Sequence, residues 1–220
     1  MKPSLVIRVL LLSMLAFFSF LMIRLSLPYT AVRDDVEFLQ TKQLVYHIGY
    51  WRHSFYIHVF TSSLTLIAGF TQFNPWLLRR WRRVHRYMGW AYGITVVCIS
   101  GPAAFIMAWY ANGGLPARAS FTLLSLLWVV FTCCAVYFAV RKRFDLHGDF
   151  MFRSYALTLS ALTLRSYTYL IALSNIPASP RDVYITTAWL SWVPNLIIAE
   201  ILIRTGWPER LLKGWRSASF

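Results

Sequence analysis

Apolar residues along this chain fall into six runs separated by short polar, mostly basic segments. The runs cover roughly 5–23, 54–73, 87–110, 120–140, 154–173 and 183–203. Each is near the about 20 mostly apolar residues that a helix needs to cross the hydrocarbon core of a bilayer. The pattern predicts an all-α fold, a polytopic bundle of six transmembrane helices forming one integral membrane domain over 1–220, with an outer loop over 24–53. The first run follows Lys2, as a signal peptide would. It is long for one and has no small-x-small cleavage site, so it is read as a retained span.

Composition narrows the class. Hydrophobic residues make up 58% of the chain and charged residues 14%, against about 25% charged in soluble domains. So few charges cannot cover a water-soluble surface, and so much apolar content does not fit a disordered chain. The net charge of +14 raises nucleic acid as a partner, but the basic residues sit in short runs between apolar stretches. That distribution excludes nucleic acid and reads as topology signals and contacts to anionic headgroups of the bilayer. With the N-terminus inside, fifteen Lys and Arg fall on inner segments: Lys2, Arg8, the arginines at 79, 80, 82, 83 and 86, residues 141–143, Arg153, Arg204, Arg210, Lys213 and Arg216. Six fall on outer segments, at 24, 33, 42, 52, 118 and 181. The excess places both termini in the cytoplasm. Tyr50, Trp51, Trp76, Trp81, Trp109, Tyr110 and Trp207 lie near the interfaces, as an aromatic belt does. Cys98, Cys133 and Cys134 all lie within apolar runs without a CxxC spacing, which argues against a disulfide framework or zinc site. The two halves show no repeat, against an inverted-repeat transporter, and signatures of nucleotide binding or hydrolysis are missing.

Ionisable side chains in hydrocarbon are expensive, so each is a functional candidate. In helix five, His147 and Arg165 are 18 residues apart, five turns at about 3.6 residues each. They share a face if the helix is continuous, along a small, polar stripe of Met151, Ser154, Thr158 and Ala161. Helix two carries His58, whose face continues through Thr61, Ser62, Thr65 and Gly69. Helix three puts His85, Gly89 and Tyr92 on one face, and Glu200 of helix six sits near the depth of His85 and His147. Pro194 lacks an N–H and frees the carbonyl of Leu190, with Asn195 beside it to bridge a kink or a ligand. Gly101 and Pro102 predict a bend in helix three.

Three readings follow. His85 and His147, at matched depth on different helices, suit axial ligation of haem b iron, with one imidazole on each side. A quinone is the other cofactor of that reading, and His58 with Arg165 then forms an outer polar site for a propionate or quinone oxygen. Alternatively His58, Arg165 and Asn195 line the path of a small-solute or proton-coupled carrier, with bends at Pro102 and Pro194 as hinges. In the third reading the protein is a non-catalytic subunit or assembly factor of a larger membrane complex, and its polar residues are interhelical glue. Against any cofactor stands the ordinary habit of interfacial histidines of bonding headgroups, acids or loop carbonyls. Arg165 likewise has the alternative of snorkelling outward, and Glu200 that of pairing with Arg204.

The chain resembles a family of predicted bacterial inner-membrane proteins catalogued as a domain of unknown function. The resemblance runs from about 55 to 204. It rests on His58 in an apolar helix ending GFTQF, on VHRYMGWAY at 84–92, LHGDFMFRSYALTLSALTLR at 146–165 and WLSWVPNLIIAE at 189–200. Phe150 stands where the family often has Trp. The resemblance implies a multi-helix membrane fold in the bacterial inner membrane and no particular activity. A looser, fold-level analogy is to transmembrane cytochromes b, whose four-helix core pairs histidines into two haem sites. Here helices two, three and five carry His58, His85 and His147 and helix four carries none. Only a His85/His147 site is then complete, and His58 lacks a mate unless His47 or His53 folds back.

Overall fold

A computed structural model describes residues 5–73, 80–174 and 176–208. Among them the chain forms six long helices and no strand. These are α1 (Leu5–Ser26), α2 (Gly49–Gln72), α3 (Arg82–Ala108), α4 (Leu115–Val140), α5 (Phe144–Leu173) and α6 (Pro180–Arg204). Lys2, Trp76, Arg79, Arg210, Lys213 and Arg216, used above for orientation and the aromatic belt, lie outside the described residues. Helices α3 to α6 are long and apolar enough to cross a membrane. Helix α2 has the length, at 24 residues, but Arg52, His53, His58 and a series of Ser and Thr make it more polar than those four.

The helices begin earlier than the apolar runs: α2 at 49 rather than 54, α3 at 82 rather than 87, α5 at 144 rather than 154. The added turns, such as RRVHR of α3, are basic and amphipathic and carry the helices beyond the apolar segment. Prolines stand where a helix starts. Pro116 and Pro180 occupy the first turns of α4 and α6, and Pro194 the first turn after the interruption of α6 described below, where the missing N–H would have had no partner; Pro102 lies inside α3, directly after its π-helical turn. Ser179 caps α6, its Oγ accepting from the backbone N–H of Asp182 at 3.1 Å, which satisfies one open donor.

Three helices are interrupted. Helix α3 contains a π-helical turn, Thr95–Ser100, just before the expected Gly101–Pro102 bend. Helix α6 breaks at Ser191–Trp192, next to Pro194. Helix α5 breaks at Leu159, where no Pro or Gly marks it. This corrects the five-turn argument for helix five. The stripe Met151, Ser154 and Thr158 is buried, but the phase changes at Leu159 and Arg165 is exposed.

Helices α2, α3, α4 and α5 pack in sequence around a ring, α2 closing it against the first half of α5, while α6 packs on α4 and α5 and α1 on α2. Consecutive ring helices are antiparallel, so α3 and α5 run parallel across the diagonal. One end of the bundle, here the loop end, carries the α1–α2 connection and the α3–α4 corner; the other is the arginine end. The connection is built rather than open. Two 3₁₀ turns, Leu27–Ala31 and Glu37–Lys42, and a single α-turn, Gln43–Tyr46, pack Tyr29 and Leu39 against Trp51 and Phe55 of α2. Lys42 is 4% exposed, donating to the Tyr110 carbonyl at 2.5 Å and to Asn112 Oδ1 at 2.7 Å. Burial, with nearby Arg118, holds its ammonium down to about 8.

Candidate functional site

The centre of the ring holds a closed set of hydroxyls. Tyr92 of α3 bonds Ser154 Oγ at 2.6 Å and Thr158 Oγ1 at 2.8 Å on α5. From α4, Trp128 Nε1 donates to Thr158 at 2.9 Å and Thr132 bonds Ser154 at 2.7 Å. All five side chains are buried. In a low-dielectric core an unmade hydrogen bond costs about 1–3 kcal/mol, and here each group finds its partner. Tyr155 adds a tie to α2, donating to the Leu66 carbonyl at 3.0 Å. Its ring fills the place where a Cβ on Gly69 would stand, so α2 and α5 approach closely only because residue 69 has no side chain.

This cluster sets the register of the two parallel helices. Seven residues before Tyr92 is His85, and seven before Ser154 is His147. Seven residues are two turns, about 10.5 Å along the axis and nearly the same face. His85 and His147 thus stand at one level toward the arginine end, across a diagonal that a tyrosine spans two turns away. His147 Nδ1 lies 2.8 Å from the Ala135 carbonyl of α4. A carbonyl only accepts, so Nδ1 carries the hydrogen and Nε2 the lone pair. Between His85 and Tyr92, Gly89 leaves space taken by the side chain of Gln72, which donates to the His85 carbonyl at 3.2 Å. Among the described residues no three His, Cys, Asp or Glu side chains gather for a metal ion. A metal held by this pair would draw its remaining ligands from a cofactor. Both donors of the pair are imidazoles, and a backbone carbonyl fixes the tautomer of His147.

At the loop end, His58 Nδ1 lies 3.1 Å from the Ser100 carbonyl, at the end of the π-helical turn, and 3.0 Å from Ser100 Oγ. Its ring meets Trp128 edge-on, with centroids 6.4 Å apart. Arg165 stands in the second half of α5, which runs toward this end. The guanidinium donates to the Ala161 carbonyl at 3.1 Å. Among the described residues the ion pairs are Arg33–Asp35 and Arg153–Glu200, so Arg165 has no carboxylate. Trp51, 1% exposed, has no partner for its indole N–H among the described residues.

Glu200 and Asn195 serve as ties between α5 and α6. Glu200 pairs with Arg153 rather than Arg204, accepting from Nε at 2.5 Å and from Nη2 at 3.0 Å, while the guanidinium lies over the Phe150 ring. The Asn195 amide nitrogen donates to the carbonyls of Ala156 and Ser191 and to Thr163 Oγ1 at 3.0–3.3 Å, and Thr163 donates to the Ser191 carbonyl. It thereby clamps the breaks of α5 and α6 side by side. The sequence reading passed over Trp128 and Thr132; it put Trp51 in the interfacial aromatic belt and counted Lys42 as an outer charge, whereas both are buried. Trp128 and Thr132, one turn apart like Ser154 and Thr158, are a polar pair in an apolar run, and that spacing was the signal available.

Apolar helices closed around a buried polar centre define a helical membrane protein. The chain belongs to the family described as predicted membrane protein DUF2306, which matches residues 55–203, α2 to α6 of the bundle. No curated protein and no solved structure matches it.

Proposed function

We propose that the protein is a six-pass redox protein of the bacterial inner membrane, with both termini cytoplasmic, that holds haem b or a quinone between His85 and His147. The observation that carries this reading is the shared level of the two imidazoles, two turns from the Tyr92–Ser154 bond. The Nδ1–H of His147 is held by Ala135, which fixes the ring and leaves Nε2 as the coordinating or proton-accepting nitrogen. His85 supplies the second imidazole, and the closed hydroxyl cluster forms the floor that keeps the site apart from the loop end. When bound, the cofactor supplies one-electron chemistry. A reduced-minus-oxidised visible spectrum of the purified protein, with the quinone content of its lipid extract, tests the reading. The expected result is a b-type band or a stoichiometric quinone that His147→Ala removes. Neither signal in folded protein overturns it.

One observation favours a second reading, a proton-coupled or small-solute carrier. The breaks of α5 and α6 lie side by side under Asn195, and discontinuous membrane helices form solute sites in many carriers. Flux into vesicles, abolished by Arg165→Gln with the fold intact, would select it over the redox reading.

A further inference from the structure

The second half of α6 packs on the first half of α5, held there by Asn195 and by the Glu200–Arg153 pair. Along its exposed face runs a groove of about 360 Å³, from Trp192 at the interruption to Arg204 in the last turn. Leu196, Ile197 and Ile201 line it, and Ile197 and Ile201 are each 55% exposed. Twelve residues separate Trp192 from Arg204, about 18 Å along a helix axis. One leaflet holds about 15 Å of hydrocarbon, half of the about 30 Å core. The groove therefore matches the depth of one leaflet, apolar where acyl chains lie and charged where headgroups lie. At the charged end, Glu200 takes both Nε and Nη2 of Arg153, so those two charges cancel. Among the described residues Arg204 forms no ion pair, and it is exposed. One net positive charge thus closes the groove, with a full set of guanidinium donors to offer.

We propose that this groove is a binding site for one anionic phospholipid of the leaflet at the arginine end. An acyl chain lies along Leu196, Ile197 and Ile201, and the phosphate meets the guanidinium of Arg204, whose parallel N–H donors match two oxygens. A zwitterionic lipid carries the same phosphate but brings a second cation to an end that is already positive, so charge selects the anionic lipid. The basic segments of this end attract anionic headgroups collectively, as a field that fades within a Debye length. The groove adds to that field an apolar seat at one position and a stoichiometry of one. It is a binding function of its own and uses neither His85 nor His147.

The test uses the full-length protein in dodecyl maltoside, a neutral detergent, and reads the thermal unfolding midpoint as dioleoyl phosphatidylglycerol is added. The expected result is a saturable rise, with dioleoyl phosphatidylcholine half-saturating about tenfold more weakly. Arg204→Gln should bring phosphatidylglycerol to the level of phosphatidylcholine. Ile197→Trp, which fills the groove from an exposed position, should weaken both lipids and serves if the glutamine variant fails to fold. Arg141→Gln removes a charge at the same end, one that stacks on Tyr137 outside the groove, and should leave the response unchanged. No rise with phosphatidylglycerol overturns the site. So does an equal loss in Arg141→Gln and Arg204→Gln, which would mean a diffuse field. An equal response to glycerol phosphate, which has the charge and no acyl chain, overturns it too. The readout needs no chromophore, so a featureless visible spectrum leaves this site standing, and its failure leaves the His85/His147 pair standing.

Discussion

The centre of the ring and its loop end are both rich in polar groups, and they differ in how those groups are matched. At the centre, Tyr92, Trp128, Thr132, Ser154 and Thr158 bond one another across three helices. At the loop end, among the described residues, Arg165 forms no ion pair and the Trp51 N–H has no partner. Polarity in a membrane helix is thus two different signals. Where partners are all supplied by the chain, it specifies packing; where a donor such as the Trp51 N–H stays unmatched among the described residues, it does not.

Substitutions can sharpen this contrast. The largest expected effect lies at the centre's closest approach. Gly69→Ala drives a Cβ into the Tyr155 ring and should destabilise by about 3 kcal/mol, seen as a lowered unfolding midpoint in detergent and partly restored by adding Tyr155→Leu. Next, Ser154→Ala leaves both Tyr92 and Thr132 short of a partner and should cost about 1–2 kcal/mol; an unchanged midpoint would mean that the cluster is not closed. Glu200→Gln removes the half-exposed pair with Arg153, worth roughly 1 kcal/mol. At the loop end the contrast reverses. Arg165→Gln removes a cation that forms no ion pair among the described residues and should change stability by no more than about 0.5 kcal/mol, or raise it. The smallest effect belongs to Lys42. Its folded-state value near 8 lies below the ordinary 10.5, so the unfolded chain binds more protons and stability rises with pH through this window. Between pH 7 and pH 8 the rise should be about 0.4 kcal/mol, and Lys42→Met should flatten it.

How much of this was legible in the sequence depended on how local each cause was. Apolar length located the helices, since burial in lipid is a property of each segment by itself. Pro194 announced the interruption of α6 because a missing N–H acts within one turn. The interruption of α5 at Leu159 had no such mark: it is held by Asn195 and Thr163 bonding across to α6, partners that become neighbours only on folding. For the same reason Arg165 was placed on the His147 stripe, an inference that needed an unbroken helix. The segment 24–53 was read simply as an outer loop. Its compactness comes from Leu39, Trp51 and Phe55 meeting across the chain, which no single stretch displays.

The π-helical turn Thr95–Ser100 has a rotational consequence. Eight ordinary helical steps from Tyr92 to Ser100 would swing the two residues about 80° apart; the under-wound turn gathers both toward the ring axis, where each is fully or nearly buried. One helix can therefore address α5 in the middle and His58 above it. The inserted turn works as a phase shifter, and losing a single residue from it would uncouple the upper half of α3 from His58 while the tyrosine below stayed in place.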